Sequence, residues 1–138
     1  MLQRLTHFNR WVHDQDEALA FSTETLGLEI RDDVTVPEMG NFRWLTAGPP
    51  GQPEIAIVLM PVPRPPVFDE DTAAKLRELV AKGATGGLFF TTDDCRGTYE
   101  DLAARGVEFT QEPMERPYGL DAGFRDPSGN QIRMMQMP

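Results

Sequence analysis

The pattern of hydrophobic and polar positions predicts a run of secondary structure in the first half of the chain. Residues 3–13 carry apolar side chains on both alternating faces, as in a strand that is covered on both sides. A segment with helical spacing follows and ends at Gly27, the residue type that commonly closes a helix. Three further apolar segments are predicted as strands, at residues 28–32, 42–46 and 54–60.

The second half of the chain has the same pattern. Residues 88–92 are predicted as a strand, and the helical spacing after them stops at Gly106. The connections at 36–41 in the first half and 112–119 in the second are rich in turn-forming residues. The last three strands are predicted at residues 107–111, 120–125 and 131–137.

The two halves also correspond residue by residue. His7 precedes Asp14 by the same interval as Gly87 precedes Asp94, so the strands are offset by 80 residues, and the helix-ending glycines are offset by 79. Each aspartate is placed to begin a helix. The chain therefore uses one strand-helix-strand-strand-strand unit twice.

A proline-rich stretch and an extra helix separate the two units. Residues 61–66 contain four prolines and are predicted as an extended connector. Asp71 or Thr72 is expected to begin the helix, which Gly83 ends. Leu76, Leu79 and Val80 are expected on one side of it.

These elements predict an α+β fold. A single unit has a helix on only one face of its sheet, so its other face must be covered. Two such units related by a pseudo-twofold axis could curl their mixed sheets into a cup with the helices outside and the ligand site inside. The expected organisation is one domain over residues 1–138, with modules at about 1–61 and 84–138 joined by a linker at about 61–83.

Composition and charge narrow the class of partner. The net charge of −9 argues against nucleic acid, which is bound by clustered Lys and Arg. No apolar run approaches the ~20 residues of a membrane-spanning helix, and the N-terminus lacks a signal-peptide pattern, so a cytoplasmic protein without membrane contact is expected. Cys95 is the single cysteine, which excludes an intrachain disulfide and a thiolate metal cluster.

The doublet resembles the vicinal oxygen chelate superfamily, which contains glyoxalases, bleomycin-resistance proteins and extradiol dioxygenases. The similarity covers nearly the whole chain and is strongest in the Asp-Pro-Ser-Gly-Asn turn near the C-terminus. The resemblance implies the cup-shaped fold described above and a homodimer. The matching segments are His7, Val12–Asp14, Glu17–Phe21, Leu26–Glu29, Leu102–Val107 and Phe124–Asn130.

The resemblance also specifies where a metal ion would be held. In metal-dependent members, His or Glu residues of the first, fourth, fifth and eighth strands are the ligands. Here those positions correspond to His7, Val58, Gly87 and Arg133, of which only the histidine is a metal ligand. Glu54 could add a carboxylate, but Arg133 would put a permanent charge where the cation should be. We therefore expect no metal and no other cofactor.

An arginine in an apolar cleft is costly to bury unless a negative group pairs with it. An internal carboxylate such as Glu54 could pair with Arg133, or the guanidinium could reach the mouth of the cleft and stay hydrated. Alternatively, the guanidinium clamps an anion or a carbonyl oxygen of a ligand together with His7. Aromatic residues would then form walls for a planar ligand. The expected cleft residues are His7, Trp11, Trp44, Val58, Gly87, Phe89, Tyr118 and Arg133.

Three functions agree with this pattern. The first is a metal-free protein that binds a small planar or anionic molecule. The second is an enzyme: a glyoxalase-like lyase or isomerase, or a dioxygenase, that holds Zn, Ni, Mn or Fe through His7 and Glu54, or a metal-independent lyase with catalytic His7 as general base. The third is a protein that binds a partner through its edge strands. We favour the first hypothesis over the second.

Overall fold

The structure, a computed structural model, describes residues 1–138 and contains two four-stranded sheets with strand orders β1-β4-β3-β2 and β5-β8-β7-β6. The pairs β1–β4 and β5–β8 are parallel and the other pairs are antiparallel. The strands are β1 (His7–Val12), β2 (Glu29–Val36), β3 (Phe42–Gly48), β4 (Ala56–Pro61), β5 (Gly87–Thr91), β6 (Phe109–Arg116), β7 (Gly119–Arg125) and β8 (Gln131–Gln136). The helices are α1 (Gln15–Ala20, continued by a π-helical turn at Phe21–Thr25), α2 (Glu70–Ala81) and α3 (Cys95–Ala104).

The internal repeat predicted from the sequence is confirmed within each unit. Strand β1 begins at His7 and β5 at Gly87, the two residues related by the offset of 80. Asp14 and Asp94 begin the helices that follow, and each accepts a backbone N–H with its side chain, at 2.8 and 2.9 Å. The contacts within the chain form two compact units, Met1–Ala73 and Ala74–Pro138.

The first sheet packs one face against α1. Leu45 and Ala47 on β3 are fully buried on that face. Arg43 points to the same side, because alternate residues of a strand share a face. Its Nη1 donates to Asp16 of α1 at 2.7 Å. The opposite side of this sheet is called the far face of the first sheet below.

The second sheet packs one face against α3 through a line of aromatic rings. The Tyr99 ring on α3 lies 4.6 Å from the Phe109 ring, and the Phe109 ring lies 5.2 Å from that of Phe124. Phe124 pairs with the buried Ile132 in the neighbouring strand, so both belong to this packed side. The opposite side is called the far face of the second sheet.

The Asp-Pro-Ser-Gly-Asn turn joins β7 to β8 and holds the end of α2. One carboxylate oxygen of Asp126 accepts the backbone N–H groups of Ser128 and Asn130, at 3.0 and 2.8 Å. Gly129 has φ +106°, and a Cβ there would stand 2.6 Å from the carbonyl oxygen of Ala81. A glycine is therefore required both by the backbone conformation and by the close approach of the helix.

Strands β2 and β6 extend four and five residues past their predicted ends. Val36 pairs with Phe42, and Arg116 pairs with Gly119, so each strand continues to a tight hairpin. Turn-forming residues such as Pro113 are tolerated because both strands lie at sheet edges. A proline has no backbone N–H to donate, and at an edge this costs no essential hydrogen bond of the sheet. The pairing partner decides the strand length here.

Helix α2 begins two to three residues earlier than expected. Asp69, rather than Asp71 or Thr72, provides the cap, and its carboxylate accepts the backbone N–H of Thr72 at 2.7 Å. Val80 is fully buried as predicted, but Leu79 is 47% exposed and does not belong to the packed side. No helix in the structure combines the length and the apolar character needed to cross a membrane.

Candidate functional site

The far face of the first sheet carries the predicted histidine beside a tryptophan. The His7 ring lies 5.4 Å from the Trp44 ring, and its Nδ1 is hydrogen-bonded to the Thr6 hydroxyl at 2.8 Å. His7 is exposed, and its register partner on β4 is Ala56. Val58, two residues further along β4, is 5% exposed and forms the floor of this face. The imidazole is therefore available to a ligand from this side.

The proline-rich connector also contacts this face. It is not extended throughout, because the backbone N–H of Val67 bonds to the carbonyl of Arg64 at 3.1 Å and forms a turn. Phe68 follows the turn, and its ring lies 5.9 Å from that of Trp11. Trp11 shares the far face with His7, since both are alternate residues of β1. The connector thus adds an aromatic side chain to the apolar surface.

The far face of the second sheet is built around an ion pair. Arg133 donates from Nε to Asp121 Oδ1 at 3.1 Å and from Nη2 to Oδ2 at 2.7 Å. Nη2 also donates to Gln111 Oε1 at 2.8 Å. The internal partner of Arg133 is therefore Asp121, and not Glu54 as the sequence suggested. A two-pronged guanidinium–carboxylate contact is among the stronger polar contacts in proteins.

Tyr118 completes this cluster from the turn between β6 and β7, the loop in which it was predicted. Its hydroxyl donates to Asp121 Oδ2 at 2.8 Å, and this bond to a carboxylate raises the pKa of Tyr118. Burial acts to raise the pKa of Asp121, but the bonds from Arg133 and Tyr118 outweigh it and hold that pKa below the usual range. Asp121 is therefore a carboxylate at neutral pH.

The surroundings of the ion pair are apolar. Phe89 is the register partner of Arg133 on β5 and is 66% exposed, and Met114 on β6 is 45% exposed. Gly87 pairs with Gln131 and presents no side chain to this face. The far face of the second sheet therefore combines exposed apolar side chains with one compact polar cluster.

The residues at the positions expected for a metal ion do not form a coordination site. Glu54 lies in the turn before β4 and is exposed, so it is not on the fourth strand as assumed from the sequence. Arg133 is bonded to Asp121, and His7 to Thr6. No group of three or more His, Cys, Asp and Glu side chains is arranged to hold a metal ion. This donor set does not fit a catalytic ion, which usually has about three protein ligands.

Sequence reasoning did not identify Asp121 and Gln111 as site residues. The sequence did contain one signal for Asp121. This residue is the only polar side chain in segment 119–124, and Arg133 is likewise the only polar side chain in segment 132–135. Opposite charges inside two neighbouring strands suggest a cross-strand ion pair. Gln111 carries no comparable signal, since polar residues are common in edge strands.

Two strand-helix-strand-strand-strand units, each with a four-stranded mixed sheet, define the class of fold. The family model described as Glyoxalase/Bleomycin resistance protein/Dioxygenase superfamily matches residues 4–134. The chain belongs to this superfamily, the vicinal oxygen chelate proteins. The resemblance noted in the sequence is thereby confirmed for the family and for the fold.

Known proteins similar to this chain include both sequences and solved structures. The protein YurT of Bacillus subtilis (strain 168) is 35% identical over 129 residues, which cover 91% of this chain and 93% of YurT. The solved structure of UcmS2 is 48% identical, with a TM-score of 0.88 and 98% of each chain covered. TnmS3, an antibiotic binding protein from Streptomyces sp. CB03234, is 28% identical, with a TM-score of 0.76 and coverage of 99% of this chain and 98% of TnmS3.

Proposed function

We propose that this protein binds a small, planar, antibiotic-like molecule on the far face of its second sheet and does not convert it chemically. The observation that carries the proposal is the preformed polar cluster of Arg133 and Asp121 next to the exposed Phe89 ring. The ion pair is formed without a ligand, as expected of a site that binds with little reorganisation. The similarity to the antibiotic binding protein TnmS3 supports the same function.

We propose further that binding requires no resident metal. The support is the donor set: the fourth-strand position is apolar, Glu54 lies outside the strand, and the eighth-strand position is an arginine. The alternative of a lyase, isomerase or dioxygenase needs a general base or a metal ligand at His7. Its Nδ1 is bonded to the Thr6 hydroxyl and not to a carboxylate that would orient the ring.

The proposal includes a homodimer in the cytoplasm, as implied by the family. One chain has a mass of 15.5 kDa, so light scattering coupled to size exclusion should give about twice that value for the dimer. A monomeric mass at all concentrations would contradict this part of the proposal and leave the ligand site unaffected.

Calorimetric titration tests the binding function directly. Bleomycin, fosfomycin and a set of two-ring aromatic compounds are titrated into the purified protein, and each compound is recovered and analysed by mass spectrometry. We expect saturable binding of at least one planar compound and its recovery unchanged. Because Phe89 would contact a planar ring, Phe89→Ala should weaken binding about tenfold.

A matched control is Leu79→Ala, which removes another exposed apolar side chain, on α2. It should leave the affinity unchanged. Turnover of a compound, or a stoichiometric metal that His7→Ala removes, would contradict the proposed function and favour the enzyme.

A further inference from the structure

The polar cluster of Arg133, Asp121, Gln111 and Tyr118, called the Arg133 cluster, pairs its carboxylate and amide oxygens within the protein. Both oxygens of Asp121 accept bonds from Arg133, and one of them also accepts the Tyr118 hydroxyl. Gln111 Oε1 accepts from Arg133, while its amide nitrogen donates to the backbone carbonyl of Asp121 at 3.2 Å. The carboxylate and amide oxygens of this cluster are therefore already engaged within the protein before a ligand binds.

The group that remains available is a donor. Arg133 Nη1 takes part in no hydrogen bond within the protein. The Arg133 side chain is 25% exposed, whereas that of Asp121 is 4% exposed, so a ligand meets the guanidinium and not the carboxylate. Nη1 lies over Gly123 on β7, and the exposed Phe89 is the register partner of Arg133 on β5, on the same face of the sheet.

The arrangement of Arg133 favours an uncharged acceptor over a carboxylate. A carboxylate binds arginine best through two parallel bonds, but the edge formed by Nε and Nη2 is already occupied by Asp121. A carboxylate would gain only contacts to Nη1, and it would lose much of its hydration on the apolar surface. A carbonyl oxygen needs only a donor and loses little hydration.

Arg116 is the second cation near this cluster. Its Nη2 lies 3.5 Å from Gln111 Oε1, and the residue is exposed. An exposed cation is hydrated and screened by salt, so its attraction for an anionic ligand is weak. Asp121 offsets the charge of Arg133 itself.

We propose that the Arg133 cluster binds a ligand with an uncharged carbonyl oxygen more tightly than the corresponding carboxylate. The carbonyl oxygen accepts a hydrogen bond from Arg133 Nη1, and the ring system of the ligand lies against Phe89. This inference rests on the proposed function, because it specifies the chemistry of the same ligand. It replaces the anion clamp that the sequence suggested with a site for neutral acceptors.

Three compounds of the same shape test the proposal by calorimetry: 2-acetylnaphthalene as neutral acceptor, 2-naphthoate as anion and 2-naphthylmethylammonium as donor. We expect the ketone to bind about threefold or more tightly than the carboxylate, as one hydrogen bond allows, and the ammonium to bind weakest. The affinity of the ketone should not change between about 50 and 500 mM salt, since no net charge is paired on binding.

Asp121→Asn tests the occupied edge of Arg133. The asparagine has one acceptor oxygen, so part of the guanidinium edge is released, and 2-naphthoate should bind about two- to tenfold more tightly than to the unmodified protein. The matched control is Asp101→Asn, which removes a carboxylate paired with Arg105 at 3.2 Å on α3. Asp101→Asn should change neither the affinity for 2-naphthoate nor the affinity for 2-acetylnaphthalene.

The outcomes separate the two claims. Tighter binding of 2-naphthoate than of the ketone to the unmodified protein overturns the inference and leaves the binding function intact, and this result does not depend on how any variant folds. Equal binding of the two compounds also overturns it. If none of the three compounds and no compound of the first titration binds, the proposed function fails and the inference falls with it.

Discussion

The guanidinium of Arg133 lies directly over Gly123, with Nη1 2.8 Å from the position that a Cβ on this glycine would occupy. The two residues are cross-strand partners in β7 and β8. Because Gly123 has no side chain, Arg133 can lie along the sheet and reach Asp121, which precedes Gly123 by two residues in β7. The glycine is thus part of the site although it offers no chemical group.

Gly123→Ala should therefore displace the guanidinium. The added methyl group would weaken the bonds to Asp121, and we expect the free energy of unfolding to fall by about 1–2 kcal/mol in urea denaturation. Gly51→Ala is the control, because a Cβ there has no atom within 4 Å, and it should change stability by less than about 0.5 kcal/mol. Equal stability of the two variants would show that Arg133 is not held in this position.

The Arg133–Asp121 pair should make the stability of the protein depend on acid pH. Although burial opposes ionisation of Asp121, its bonds lower the pKa in the folded state below the value of about 4 in the unfolded chain. The resulting stabilisation is complete above the unfolded pKa and is lost as the pH falls through the folded pKa. Arg43 lowers the pKa of Asp33 and therefore acts in the same direction.

This dependence can be measured as the free energy of unfolding between about pH 6 and pH 2. Asp121→Asn should be less stable at neutral pH and should lose less stability on acidification than the unmodified protein. The control is Asp101→Asn, which removes an exposed carboxylate and should leave the slope nearly unchanged. The same slope in Asp121→Asn as in the unmodified protein would rule out Asp121 as the group responsible.

The turn that holds the end of α2 should be sensitive to any side chain at Gly129. Gly129→Ala combines a positive φ with a clash against the carbonyl oxygens of Val80 and Ala81, at 2.7 and 2.6 Å. We expect a loss of about 2–4 kcal/mol in the free energy of unfolding, measured by urea denaturation. Gly86→Ala separates the two causes, because Gly86 has φ +88° but no atom within 4 Å, and it should cost about 1 kcal/mol.

Cys95 should be unreactive in the folded protein. Burial is the main cause that raises the pKa of its thiol, and the negative charge of Asp121 adds to it. The residue is fully buried, so the reactive thiolate is both rare and inaccessible. A disulfide reagent should label native protein slowly and denatured protein at once. Rapid stoichiometric labelling of the native protein would contradict this placement.

Most of the fold could be predicted from local features. The helix starts at Asp14 and Asp94 depend on one side chain and the backbone next to it, and the sequence offset of 80 depends on no contact at all. Strand lengths were missed because β2 and β6 continue only as far as a neighbouring strand pairs with them. The metal ligands implied by the family depend on register, and Glu54 was assigned to a strand that begins only at Ala56.

The sequence by itself determined that the chain folds as two copies of one unit and that Arg133, in an apolar strand, is costly to bury without a negative partner. Only the tertiary structure decided that this partner is Asp121. Strand register sets which side chains meet across a sheet, and it follows from the antiparallel pairing of β7 with β8, in which Gly123 lies opposite Arg133. That pairing is a long-range contact, so no local pattern of residues could have specified which edge of the guanidinium remains free for a ligand.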